Sequence, residues 1–216
     1  MNRISTITVL AAASLLSAGA YAQEKNLILK TGPVFIGFDT NTSLNVGGGL
    51  VPGANARAKD NVALGVEVVY LLNPTWGVSL TLGTPPTTTL VGKGGPVDGL
   101  ALGKVTYGPA VLSMNYRFNN LGTVTPYFGA GVNYTAVLSD KDGAVANLKV
   151  KSAWGTVLQA GFEVPVNQDW GFFFDVKKIF LKTTATGTVP AFGGAPASAK
   201  IRLDPTLVHL GVSYRF

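Results

Sequence analysis

Along residues 207–216 the chain alternates in character, with Val208, Leu210, Val212, Tyr214 and Phe216 apolar and Leu207, His209, Gly211, Ser213 and Arg215 between them mostly small or polar. Period two of this kind predicts a strand whose two faces meet different surroundings. The same texture recurs over residues 26–38, 61–72, 76–84, 105–118, 125–138, 152–166 and 170–183, and the terminal stretch extends back to residue 200. Eight strands are therefore predicted, an even number permitted for a small closed barrel.

The connections alternate in length. Residues 73–75, 119–124 and 167–169 are short and built of turn formers such as Asn73, Pro74 and Asn167. Residues 38–60, 85–104, 139–151 and 184–199 are long and rich in Gly, Pro, Thr and Ala. Short turns on one rim and long loops on the other form the pattern of an outer-membrane barrel with its short rim in the periplasm.

Parity orients each strand. Glu67 falls on the face of Ala63, Gly65, Val69 and Leu71, and that face must point inward, because a charge on the lipid face costs about 2–4 kcal/mol near the midplane for a base and less for an acid. Asn115 and Arg117, Gln159 and Glu163, and Asp175 and Lys177 orient three further strands by the same argument. Trp76, Tyr116, Phe118, Trp170, Tyr214 and Phe216 then face outward beside the short turns, where an aromatic girdle is expected.

Composition supports this all-β fold, an eight-stranded antiparallel transmembrane β-barrel. Of 216 residues, 47% are apolar and 13% charged, against a charged share of about 25% in globular proteins. Beyond the N-terminus no unbroken apolar run is long enough to cross a bilayer as a helix. The formal charge of +6 comes from Lys and Arg scattered along the chain, which argues against nucleic acid as a partner. No Cys is present, so neither a disulfide framework nor a thiolate site is available. Arg3, the apolar residues 4–16 and Ala20-Tyr21-Ala22 read as a signal peptide over 1–22, leaving 23–216 as a single barrel domain.

Catalytic chemistry finds little support. His209 is the one histidine, and Ser213 shares its face at four residues, or about 13 Å along a strand, too far for a hydrogen bond. Asp175 on the neighbouring strand can approach His209, but no Gly-x-Ser-x-Gly elbow supplies a nucleophile. His209 is expected to act as a lumen hydrogen-bonding residue, and the chain not to be an enzyme. Asp140 and Asp142 are too few for a calcium site, so neither metal nor cofactor is expected.

Residues 126–134 (Pro-Tyr-Phe-Gly-Ala-Gly-Val-Asn-Tyr), Ser152-Ala153-Trp154-Gly155, Asn167-Gln168-Asp169-Trp170, and Arg202-Leu203-Asp204-Pro205 leading into Ser213-Tyr214-Arg215-Phe216 together resemble the outer membrane protein W family. The resemblance covers essentially the whole mature chain. It implies an eight-stranded barrel in the bacterial outer membrane with a narrow, largely apolar interior that passes small hydrophobic molecules; relatives import alkanes. Some relatives carry an inward Trp where this chain has Lys177 and an inward Leu where it has Thr81. The terminal Phe216 resembles the signal read by the barrel assembly machinery, which with the lipid bilayer, lipopolysaccharide and small hydrophobic solutes completes the expected partners.

Parity gives two sets of lumen residues. Lys30, Glu67, Arg117, Glu163, Asp175, Lys177, His209 and Arg215 project inward with both signs represented, and in so narrow a barrel they are expected to pair and plug. Val69, Leu71, Val111, Phe173, Ile179, Leu181 and Leu207, with Tyr127 lower down, form the apolar set. Most of these are expected above the charges, as an apolar cup over a charged floor suited to a hydrophobic molecule that leaves sideways. Pro33 and Pro109, which bring no ladder donor, are candidate places for the wall to part. Two readings remain: passive uptake of hydrophobic solutes, or a plugged structural or receptor barrel whose long loops bind phage, bacteriocin or host surfaces.

Overall fold

A computed structural model describes residues 25–51 and 53–216; the expected signal peptide lies outside them. In chain order the strands are β1 (Leu27–Gly37), β2 (Asn41–Val46), β3 (Gly49–Leu50), β4 (Asn55–Ala58), β5 (Asn61–Leu71), β6 (Trp76–Gly83), β7 (Thr87–Lys93), β8 (Ala101–Arg117), β9 (Thr125–Asp142), β10 (Ala146–Val150), β11 (Ala153–Pro165), β12 (Trp170–Val189), β13 (Ala195–Arg202) and β14 (Thr206–Arg215). Eight of them, β1, β5, β6, β8, β9, β11, β12 and β14, pair antiparallel in that cyclic order and close the predicted barrel. Closure pairs the first wall strand with the last, from Ile28 opposite Arg215 to Gly37 opposite Thr206, and so leaves no sheet edge in the lipid.

The expected long loops are mostly strand. β7 continues the β6 side of β8, β10 pairs the upper part of β12, and β13 bridges β12 to β2, so the wall rises well past the membrane. In β13 the sequence Ala-Pro-Ala-Ser-Ala-Lys-Ile-Arg buries Ala197, Ala199 and Ile201 and exposes Pro196, Ser198, Lys200 and Arg202. Small side chains hid this period-two signal in the sequence. The predicted strand over 200–216 is in fact two, broken at Leu203–Pro205, where Asp204 takes a positive φ of 31° and Pro205 brings no N–H.

On the short rim, Asn73 Oδ1 accepts the N–H groups of Thr75 at 2.9 Å and Trp76 at 2.8 Å, and Asn167 Oδ1 does the same for Asp169 and Trp170. These are the local side-chain turns that Asn favours. The girdle stands beside them as a run of edge-to-face rings: Trp76 on Tyr116 at 5.1 Å, Tyr116 on Phe118 at 4.9 Å, and Trp170 on Tyr214 and Tyr214 on Phe216 at 4.8 and 4.7 Å.

At the closure seam the ladder omits the Gly32 and Pro33 positions, yet the register across them is unbroken. A Cβ on Gly32 would lie 2.0 Å from the Leu210 carbonyl oxygen, and one on Gly211 would lie 2.1 Å from that of Thr31. Absent side chains let the two backbones touch there.

Candidate functional site

Inward parity brings one polar layer together from seven of the eight wall strands. Arg117 on β8 grips Glu163 on β11 with both guanidinium ends, at 3.1 and 2.5 Å. Lys30 Nζ on β1 lies 2.6 Å from Glu163 Oε1 and 3.4 Å from Glu67 Oε1 on β5. Lys177 Nζ on β12 lies 2.6 Å from Glu67 Oε2 and 2.5 Å from Asp175 Oδ1. Tyr127 on β9 accepts from Lys30 at 3.2 Å and donates to Asp175 Oδ2 at 2.8 Å, while Thr81 on β6 donates to Glu67 Oε2 at 2.6 Å. Three cations meet three carboxylates, all buried, in a closed circuit of charge-assisted bonds. Gln159 Nε2 adds a donor to Asp175 at 2.6 Å, and Asn115 donates to Ser79 at 2.9 Å.

Two expected members stand outside this circuit. His209 is buried on β14 opposite Asp175, but among the described residues neither ring nitrogen has a partner, because the Asp175 oxygens are already taken by Lys177, Tyr127 and Gln159; its ring packs edge-on against Phe173 at 4.7 Å instead. Arg215 is half-buried at the periplasmic mouth, where its residue lines an opening of about 620 Å³ with Lys25, Asp169 and Trp170.

Val111, Ile179, Leu181 and Leu207 pack together above the charges, with Val34, Ile36 and Val157, which were absent from the expected set. All three alternate with outward residues on strands already oriented, so parity alone could have found them. Val69 and Leu71 lie below the floor instead, packed with Ile28, because β5 descends toward the short turn and its later residues are the lower ones. Phe173 likewise belongs to the floor, since β12 rises from that turn and Lys30 Nζ sits 5.4 Å from its ring centre. Above the cup a further apolar layer, including Leu90, Val105, Leu148 and Ile201, lines the extracellular extension.

An apolar cavity of about 60 Å³ spans both layers and is bordered by Ile36, Tyr107, Pro109, Ile179, Leu181 and Leu207. A second, of about 20 Å³, shares Ile36, Pro109 and Leu207 and reaches Leu82, Gly83, Thr84 and Pro86 in the wall. There the β6–β8 ladder stops at Thr81 opposite Val111 and resumes as β7–β8 at Thr87 opposite Thr106. Pro85, Pro86 and Pro109 bring no N–H to the interval, and Tyr107 N–H bridges it to the Pro86 carbonyl at 3.1 Å.

The OmpW family profile matches residues 23–216. The chain belongs to the OmpW family. Among relatives in that family, a dibenzothiophene metabolism operon protein, PahQ, of Pseudomonas aeruginosa is 36% identical, the match covering 93% of each chain. The crystal structure of OprG from Pseudomonas aeruginosa superposes with a TM-score of 0.82 at 25% identity, covering 88% of this chain and 95% of that one. Outer membrane protein AlkL, solved by solid-state NMR in DMPC bilayers, gives 0.70 at 29% identity, covering 91% and 93%. OmpW membership places the chain in the bacterial outer membrane, in a lipid bilayer, among barrels of transport or structural type.

Proposed function

We propose that this barrel passively admits small hydrophobic molecules from outside and releases them sideways into the membrane. The observation that carries the proposal is the apolar cavity over the charged floor, which shares Ile36, Pro109 and Leu207 with a second small cavity at the interrupted stretch of wall. A hydrophobic solute gains roughly 25 cal/mol for each Å² of apolar surface it buries in the cup. Crossing the floor would break buried ion pairs, each worth about 3–5 kcal/mol when one partner is left alone. Sideways release is the cheaper route. The relative's association with metabolism of dibenzothiophene, an apolar fused-ring compound, favours this class of solute.

Of the two prolines considered, Pro109 is favoured, because the seam at Pro33 is filled by the apposed Gly32 and Gly211 backbones. Uptake of a fluorescent apolar probe into vesicles carrying the purified barrel tests the proposal. Leu207→Asp should abolish uptake while the barrel stays folded. Absence of uptake by the unaltered barrel would favour the receptor alternative, and unchanged uptake in Leu207→Asp would remove the cup from the route.

A further inference from the structure

We propose that the outward face of β12, β13 and β2 binds the phosphate groups of lipopolysaccharide in the outer leaflet. The level of this face follows from the strand geometry. Phe180 lies ten residues beyond Trp170 on the same outward face of β12, which at about 3.3 Å per residue and a tilt of about 40° is roughly 25 Å along the membrane normal, the height of the apolar band. Trp154, 70% exposed, packs at a tilt against Tyr134 at 4.8 Å and marks the upper girdle beside it. Lys182, the next outward residue above Phe180, therefore stands at the height of the lipid headgroups.

Lys182 is the direct cross-strand partner of Arg202, and Lys200 follows on the same face opposite Thr184. Like charges facing one another across a ladder are destabilising unless something bridges them. The carboxylate at hand, Asp204, is engaged by Arg202 Nε and by the Leu181 N–H at 3.1 Å. Among the described residues, Lys182 and Lys200 form no ion pair. Lys178, one outward position below Phe180, turns its amine to the Asp204 carbonyl at 2.7 Å and Thr206 Oγ1 at 3.2 Å, so it is already satisfied. Two lysines without an ion pair among the described residues and a partly engaged guanidinium are thus held together on one face.

The surface around them fits an amphiphile. One groove of about 600 Å³ has Val132, Trp154 and Phe180 below and Lys182 and Arg202 above. A second, of about 490 Å³, shares both cations and adds Lys200 with the polar side chains of Asn41 and Ser43. Acyl chains would lie against the aromatic residues, phosphates would bridge Lys182, Arg202 and Lys200, and sugar hydroxyls would meet Asn41 and Ser43. A zwitterionic phospholipid carries its own ammonium beside the phosphate and would neutralise the cluster less well. The proposal is independent of the solute path.

The test titrates lipopolysaccharide onto the barrel in phosphatidylcholine nanodiscs. Lys182→Gln/Lys200→Gln keeps the Arg202–Asp204 pair and so keeps the fold; it should bind at least about tenfold more weakly, since each cation near an anionic surface contributes on the order of a factor of five. Lys104→Gln/Lys141→Gln removes another facing pair of lysines, on β8 and β9 and outside both grooves, and should bind like the unaltered protein. Dephosphorylated lipopolysaccharide should bind the unaltered protein as weakly as the complete form binds the variant. Equal binding by Lys182→Gln/Lys200→Gln, an equal loss in the distant pair, or displacement by inorganic phosphate at matching concentration would each overturn the proposal.

Discussion

Lys177 Nζ lies 2.6 Å from Glu67 Oε2, although the two residues are 110 positions apart and sit on β12 and β5, which are not neighbours in the wall. The pair therefore spans the lumen. Thr81 donates to the same oxygen at 2.6 Å. Lys177 from β12 and Thr81 from β6 thus both serve Glu67. Removing one charge from this circuit strands its partner. Lys177→Met should destabilise the barrel by about 3–5 kcal/mol, and Lys177→Met/Glu67→Gln should recover part of that loss. Unfolding midpoints in urea with lipid vesicles would measure both.

The same circuit should keep ions out. In planar bilayers the unaltered protein should show small single-channel conductance, and Arg117→Ala should raise it by releasing Glu163 from its bidentate grip. Large conductance before any substitution would mean that the pairs do not close the lumen.

How far the sequence reveals such features depends on how strongly each residue's surroundings constrain it. Glu67, Arg117, Glu163, Asp175 and Lys177 were legible because a charge on a lipid-facing strand admits one orientation. Pairing between them was legible only as an expectation, since parity says which way a side chain points and nothing about how far around the barrel it reaches. His209 shows the gap: Asp175 is its cross-strand neighbour, but the Asp175 oxygens take donors from Tyr127, Gln159 and Lys177 instead. Heights were misjudged for Val69, Leu71 and Phe173 because antiparallel strands run in opposite directions, so a later residue is higher on β12 and lower on β5. The strand content of the long loops was masked by Ala, Ser and Gly, whose burial contrast is slight.

Outside the membrane, Asp142 organises the turn into β10 by accepting the N–H groups of Asn147 and Leu148, each at 2.9 Å. Those two bonds hold its carboxyl below the usual carboxylate range. A folded value below the unfolded one means that the bonds contribute fully above the unfolded value of about 3.9 and are lost as the pH falls through the lower, folded value. Hydrogen exchange at the Leu148 amide should therefore remain slow at neutral pH and quicken only below that range. Asp142→Asn should exchange faster at neutral pH and lose the acid-dependent step.

Phe216 closes the girdle against Tyr214, and its N–H is held by the Leu27 carbonyl at 2.8 Å. Its half-exposed ring contributes modest packing, so a role in recognition by the assembly machinery makes a separable prediction. Phe216→Ala should lower the yield of folded barrel in the outer membrane several-fold while leaving the unfolding midpoint of assembled barrel within a few degrees. Equal losses in yield and stability would assign the residue to packing alone.

The solute route makes the sharpest demand on the wall. Pro109 faces the interval between Thr81 and Thr87 where the ladder is interrupted, and Ala at that position would restore an N–H without adding bulk to the cup. Restored pairing should tighten the wall, so Pro109→Ala should slow uptake of an apolar probe at unchanged or raised stability. Leu207→Asp should stop uptake by placing a charge in the cup, and Arg117→Ala should leave it nearly unchanged even though ion conductance rises. These outcomes separate the two exits, because a solute that passes down through the floor would respond to Arg117 as strongly as to Leu207 and would ignore Pro109. Parallel measurement of probe uptake and conductance on the same three variants decides between them, and uptake rising together with conductance in Arg117→Ala would refute the sideways path.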